Sequence, residues 1–187
     1  MYVGDAAPRS PASRRSTRLP LRAPSAADTP DDIASLAKVG RRVRNVDGYP
    51  VYLPADDYER FLREPEPIAA WVVEDARGVA GHVALNPTAS AAVTKTVRSA
   101  GVDGELGVVA RFLVDPRCRR QRLGVRLLEH ARQHAVELGL VAVLDVVTSS
   151  TAAIQLYRRA GWIEIGQTSF ERPDGQRVEE LVFRAPD

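Results

Sequence analysis

The chain of 187 residues contains a single cysteine, Cys118. That excludes an internal disulfide and any cysteine-rich metal site. Its three histidines are His82, His130 and His134. The last two share one helix face at a metal-like spacing. No third ligand lies near them in a segment rich in Arg and Glu, so a solvated face is the better reading. Lysine is scarcer still, with Lys38 and Lys95 alone among 26 basic residues. Nearly all the positive charge is therefore arginine, whose planar fork suits phosphates; a genome biased toward arginine codons would look the same. No apolar run approaches the ~20 residues that cross a bilayer. Residues 1–16, "MYVGDAAPRSPASRRS", have no apolar core of the kind a secretory signal carries. They read as a disordered basic tail, and 17–187 as one domain, expected in the cytoplasm with no membrane partner. An apolar share of 44% over this length is enough for one good core and rather little for two.

What is present alternates between two periods. "TRLPLRAP" alternates as a short strand. "ADTPDDIASLAKVGRRV" carries helix-start chemistry, with Asp28 or Thr29 as cap and Pro30 in the first turn; Ile33, Leu36, Ala37, Gly40 and Val43 fall on one face. A Gly/Pro break leads to a second helix around "ADDYERFLR". "IAAWVVEDARGVAGHVALNP" reads as a hairpin, and 87–104 as a long loop with some helix in it. Then come the strand "ELGVVARFLV", an arginine-rich turn, and a helix whose Leu123, Leu127, Leu128, Ala131, Ala135 and Leu138 repeat at helical spacing. "LVAVLDVV" is apolar almost throughout, as a strand covered on both faces should be. The helix "AAIQLYRRAG" and a final hairpin turning at "PDGQ" complete an order β-α-α-β-β-β-α-β-α-β-β. The expected class is α/β (α+β), one domain with a mixed central sheet of about seven strands flanked by helices.

The arginine-rich turn poses the functional question. Arg117, Arg119, Arg120, Arg122 and Arg126 fall within ten positions where a strand ends and a helix begins. A helix start presents amides without intrahelical partners and the positive end of the dipole, so it binds phosphates readily. Gly124 lets the backbone come close to an anion. A solvated basic face, or a patch for nucleic acid, would have the same composition. Spacing alone leaves these open.

"RRQRLG" (119–124), following "FLVDP", resembles the coenzyme A signature of the GNAT acetyltransferase superfamily, Arg/Gln-x-x-Gly-x-Gly/Ala. About thirty residues on, "SSTAAIQLYRRAGW" (149–162) resembles that family's later motif, Asn-x-x-Ala-x-x-Leu-Tyr-x-x-x-Gly-Phe. The resemblance implies acetyl-CoA as cosubstrate and no metal. Its pyrophosphate would lie on Arg119, Arg120, Gln121, Arg122, Leu123 and Gly124, mostly through backbone N–H. Phe112, Leu113 and Val114 would pair with the pantetheine arm and polarise the thioester carbonyl. The strands ending at Val114 and starting near Val141 would splay apart to admit it. Two positions depart from the pattern. Arg122 stands where the signature has its first glycine, and is strained if that turn needs a positive φ. Ser150 replaces the asparagine; the resemblance keeps it among the cofactor-binding residues as a shorter donor and acceptor, and it is expected to cap the helix.

Acetyl transfer requires a neutral amine, donors for the oxyanion and protonation of the departing thiolate. On periodicity Tyr157 is a core aromatic; the resemblance makes it the proton donor. Asp145, a charge inside an apolar strand, either braces loop amides or an arginine or, as the resemblance implies, serves as general base. His82 is a further base candidate, with a strand residue facing water as the alternative. Val108 stands where histone-type members carry a glutamate, which excludes that solution. From Asp47 to Asp75 eight acidic residues face two arginines, a net of −6; from Arg111 to Arg132 seven arginines face two acidic residues, a net of +5. That asymmetry suits an anionic cofactor and a cationic amine, or else two solvated helices. Trp71, Tyr49, Tyr52 and Tyr58 could line an acceptor cleft or pack in the core. The resulting expectation is an N-acetyltransferase acting on a small-molecule or protein N-terminal amine by direct attack in a ternary complex. A non-catalytic acyl-CoA-binding sensor is the alternative. No nucleic-acid partner is expected, and a homodimer stays open.

Overall fold

Where apolar residues alternate the backbone is extended, and where they recur every three or four positions it is helical. The computed structural model describes residues 21–22, 30–51, 53 and 56–186. The tail at 1–16, the cap at Asp28 or Thr29, and Tyr52 lie outside them. The elements are β1 (Leu21–Arg22), α1 (Pro30–Asp47), α2 (Tyr58–Arg63), β2 (Ala69–Asp75), β3 (Gly78–Asn86), α3 (Ala91–Ser99), β4 (Leu106–Val114), α4 (Leu123–Glu137), β5 (Val141–Val147), α5 (Thr151–Arg159), β6 (Ile163–Glu171) and β7 (Arg177–Arg184). The expected loop at 87–104 contains α3. Ser90 starts it by accepting the Val93 N–H at 3.2 Å, and Val93 and Val97 bury one helical turn apart.

Seven strands form one mixed sheet in the order β1-β2-β3-β4-β5-β7-β6. Its two faces follow from the strand period of two. Leu144 and Val146 of β5 pack with Leu123, Leu127, Leu128 and Ala131 of α4 and with Ile154 and Tyr157 of α5. Val143, one residue out of phase, packs instead with Val93 and Val97 of α3 and Val182 of β7. On that second face Ile33, Leu36, Val39 and Val43 of α1 cover Val72 and Leu113. Each fully buried leucine in this arrangement contributes about 2 kcal/mol.

The site is created by an interruption in the sheet. β4 and β5 are its parallel pair, but they match only through Leu106↔Val141, Gly107↔Ala142 and Val108↔Val143. Beyond Val108 the two strands diverge. The cause lies on the other edge of β4, where His82 pairs with Leu113 and Ala84 with Ala110, so that Arg111 and Phe112 together oppose Val83. This is a β-bulge, and Arg111 adopts φ 51° within it. The extra residue bends β4 away from β5.

Candidate active site

A cavity of about 1010 Å³ occupies the splay, between the free edge of β4 and the edge of β5. Phe112 and Val114 line it. Leu113 is buried toward α1 on the opposite face, so only its backbone belongs to the edge. A strand edge without a partner strand presents N–H and C=O groups to whatever enters.

One end of the cavity meets the turn before α4, lined by Arg119, Arg120, Arg122, Leu123 and Gly124. Arg120 and Arg122 are left-handed, at φ 64° and φ 60°. The turn does require a positive φ where the signature has glycine, and Arg122 carries the strain, on the order of 1–2 kcal/mol. As the N-cap residue of α4, Arg122 provides no side-chain cap. At Gly124 a Cβ would come within 3.2 Å of the Phe112 ring and 3.1 Å of Leu156, so α4 approaches β4 and α5 where only hydrogen fits easily.

Four of the five arginines divide into two pairs. Arg117 binds Asp115 at 2.7 Å, and Arg119 binds Asp47 at the end of α1, with Nη1 to Oδ1 at 3.0 Å. Arg120 is exposed, as are Arg122 and Gln121, and neither Arg120 nor Arg122 has an ion pair among the described residues.

The other end brings together Tyr157, Tyr49, Asp145 and Glu180. Tyr157 is 6% exposed, its ring set against Phe112, Trp162 and Phe183 at 5.9–6.4 Å between centroids. Its hydroxyl has no hydrogen-bond partner among the described residues. Burial, followed by the nearness of Tyr49 and Asp145, drives its pKa far above the usual tyrosine value. Tyr49 shifts upward for the same leading reason, and it takes a hydrogen bond from the Arg111 backbone. Asp145 opens onto the cavity while protein encloses it beyond. Desolvation raises its pKa, and a hydrogen bond with Glu180 opposes the rise. Glu180 is pushed up to about 7 by burial, then by the charge of Asp145 and their hydrogen bond. Two carboxylates this close do not both ionise freely.

The sequence profile of the Acetyltransferase (GNAT) family matches residues 39–162. This chain belongs to that family. No curated protein matches it in sequence. Arabidopsis thaliana NAA60 in complex with acetyl-CoA has a similar structure, with TM-score 0.65 and 16% identity over 90% of this chain and 98% of that one. The ribosomal-protein-S18-alanine N-acetyltransferase of Escherichia coli gives 0.61 and 17% over 90% and 94%. The ribosomal-protein-alanine N-acetyltransferase of Brucella melitensis gives 0.64 and 18% over 89% and 99%. These likenesses concern the GNAT fold.

Several expected positions fall elsewhere in this GNAT chain. Trp71 is a core residue under α4, edge-on to His130 at 5.0 Å and His134 at 5.2 Å. The two histidines are thus half-buried partners of an indole and not simply a solvated face. Among the described residues no group of side chains could hold a metal ion. Tyr58 packs over Gly40 of α1, away from the cavity. His82 does not face water. It is 2% exposed, and its Nδ1 donates to the Arg111 carbonyl at 2.8 Å, which anchors the bulge. Ser150 starts α5 and lines the cavity but makes no capping bond, its backbone at ψ 59°. Asp145 has no arginine partner among the described residues.

Two residues escaped the sequence reading. Arg111, buried at 4% exposure, donates through Nη1 to the Leu62 carbonyl at 2.6 Å and through Nη2 to that of Pro65. It ties the end of α2 to the bulge. Glu180 escaped because its partner is distant in sequence. Its signal was the alternation Val178, Glu180, Val182, which puts a carboxylate on an otherwise apolar strand face.

Proposed function

We propose that the chain transfers the acetyl group of acetyl-CoA to a primary amine by direct attack in a ternary complex. The observation that carries this reading is the unpaired edge of β4 beyond Val108, facing a cavity that runs from the α4 turn to Tyr157 and Asp145. An extended pantetheine arm can add to that edge as a strand would. The amides that begin α4, with Arg120 and Arg122 around them, supply donors and positive charge for a pyrophosphate, while Arg119 lines the same end with its charge offset by Asp47. The cavity volume accommodates a ligand of this size.

Asp145 accepts a proton from the bound ammonium, and the neutral nitrogen then attacks the thioester carbonyl carbon. Backbone N–H groups of the β4 edge stabilise the oxyanion. As the tetrahedral intermediate collapses the carbon–sulfur bond breaks and the nitrogen gives up its second proton, which ends on the departing sulfur, leaving the amide and the thiol. Tyr157 stays protonated throughout the physiological range and donates a hydrogen bond to the sulfur. Its raised pKa makes complete transfer to a thiolate, whose conjugate acid has a reference pKa of ~8.5, less favourable than from an ordinary phenol. The structural neighbours named for ribosomal-protein alanine N-acetylation make a protein N-terminus one acceptor to try first.

Calorimetry with acetyl-CoA, followed by thiol release with polyamines, aminoglycosides, amino acids and N-terminal peptides, tests the reading. Binding with thiol release from at least one amine is expected. Absence of binding overturns it, and binding without turnover of any amine identifies an acyl-CoA-binding module instead.

A further inference from the structure

Asp145 and Glu180 sit on neighbouring antiparallel strands, where Asp145 pairs with Val182 and Val147 with Glu180. Glu180 is therefore the diagonal neighbour of Asp145 on one face of the sheet. That face carries α1 and α3, whereas Tyr157 descends from α5 on the other, and the splay joins both faces in a single cavity. Tyr157 adds an independent sign that this end of the cavity takes a ligand. It is 94% buried, lines the cavity, and its hydroxyl lacks a partner among the described residues. Its oxygen is not sealed in protein but opens onto the cavity, where a ligand can meet it.

The groups that face the pair most closely are two phenols. Tyr49 faces it from the segment after α1, Tyr157 from α5, and each is held neutral by burial. The nearest cation of β4, Arg111, spends its guanidinium on the carbonyls of Leu62 and Pro65. Neither carboxylate has an ion pair with arginine or lysine among the described residues. On β6, the neighbour of Glu180 is the neutral Thr168.

We propose that Glu180 is a specificity-determining residue. With Asp145 it forms a paired-carboxylate subsite for a primary ammonium group that has no carboxylate of its own beside it. This rests on the acetyl-transfer reading and deepens it. An ammonium entering the subsite takes the place of the proton the two carboxylates otherwise share, donating N–H bonds to both and offsetting one of their two negative charges. An α-amino acid would bring a third carboxylate to within two bonds of the nitrogen, while Arg111, the cation of β4 that lines the cavity, already donates to the carbonyls of Leu62 and Pro65. Like charge at this distance in a partly desolvated site is strongly unfavourable. A peptide N-terminus, an amino acid amide or an alkylamine meets no such repulsion. Chemically, one proton leaves the ammonium nitrogen for an oxygen of the pair, and it departs to solvent after the product does.

The experiment compares alanine with alaninamide as acceptors, in the wild-type chain and in Glu180→Gln and Glu180→Asp, with acetyl-CoA affinity measured separately by calorimetry. Wild type is expected to favour the amide by at least about 30-fold in kcat/KM, a ratio a single like-charge contact can produce. In Glu180→Gln the preference should fall to about 3-fold or less. A limb of the kcat/KM profile near pH 7 should disappear with it, and acetyl-CoA affinity should not change. Glu180→Asp keeps the charge and should retain part of the preference, which separates charge from a packing defect. Equal use of the two acceptors by wild type overturns the proposal and leaves the cofactor reading intact. So does a preference and pH profile that Glu180→Gln does not alter. Wild type that binds no acetyl-CoA overturns both.

Discussion

Arg42 of α1 reaches Asp115, the residue that follows β4, with Nη2 to Oδ2 at 2.6 Å. Arg117 closes on the same oxygen at 2.7 Å, and its backbone N–H is taken by the other carboxylate oxygen at 3.0 Å. Asp47, at the far end of α1, holds Arg119. The helix that covers one face of the sheet therefore fixes the turn before α4 at two points.

Removing the Asp115 carboxylate should destabilise the fold. The side chain is fully buried, so Asp115→Ala leaves an enclosed void and strands an amide donor. Arg42 and Arg117 are partly exposed and recover some hydration. A loss of about 2–3 kcal/mol is expected in urea denaturation. Burial alone would raise the Asp115 pKa, but hydrogen bonds from Arg117 and Arg42 outweigh it and hold the carboxyl well below its usual range. A depressed folded-state value means that the contribution is complete above the unfolded pKa of ~3.9 and drains away as pH falls below it. Asp115→Asn should therefore lose less stability than wild type between about pH 4 and pH 2. An identical acid dependence in the two proteins would refute the assignment.

Arg122 gives a prediction of opposite sign. Its φ of 60° is costly for any side chain with a Cβ, and no ion pair among the described residues offsets the cost. Glycine relieves it but raises the entropy of the unfolded chain, so Arg122→Gly should gain only about 0.5–1 kcal/mol. For a chain of this length that corresponds to a rise of about 1–4 °C in Tm without ligand. A lower Tm would mean that the arginine side chain contributes more than the strain costs.

These two arginines also show what a sequence can convey. Five cations beside a helix start were visible, but not that Arg117 and Arg119 are committed to Asp115 and Asp47, whose selection depends on where α1 crosses the sheet. The helices and strands were readable because each repeats its apolar residues at its own period. The splay was readable through two motifs in the right order. Asp145 stood out as a charge in an apolar strand, but Glu180, its diagonal neighbour, depends on the β5–β7 register, set by the hairpin that follows α5. The bulge at Arg111 was hidden altogether, since nothing in "VVARFLV" distinguishes a regular strand from one with an extra residue.

Gly124 should separate binding from folding. An added methyl presses on Phe112 and Leu156, both of which line the cavity. Near the helix start the same methyl improves helix propensity, by up to about 1 kcal/mol. Gly124→Ala should thus stay within about 1 kcal/mol of wild-type stability while acetyl-CoA binds about 10-fold more weakly, as narrowing a packed site by tenths of an ångström does. Calorimetry and denaturation on one preparation decide it. Unchanged affinity would mean that the methyl is absorbed away from the cofactor path.

Tyr157→Phe removes one oxygen from a buried ring whose packing against Phe112, Trp162 and Phe183 does not need it. Because the hydroxyl has no partner among the described residues, the variant should be as stable as wild type or up to about 1 kcal/mol more so. Acetyl-CoA should bind as before, since the proposed partner of the phenol is the sulfur and not a phosphate. The rate should respond differently. Losing a donor to the departing thiolate should lower kcat by about 100-fold, the scale of one positioned proton donor. The acceptor KM should be nearly unaffected, because the amine meets Asp145 and Glu180. The pH profile adds a second check. The phenol's pKa lies far above the usual tyrosine value, so a basic limb due to its ionisation should be absent from the wild-type profile below pH ~10. If kcat is preserved while KM rises, Tyr157 positions substrate, and the leaving thiolate takes its proton from elsewhere.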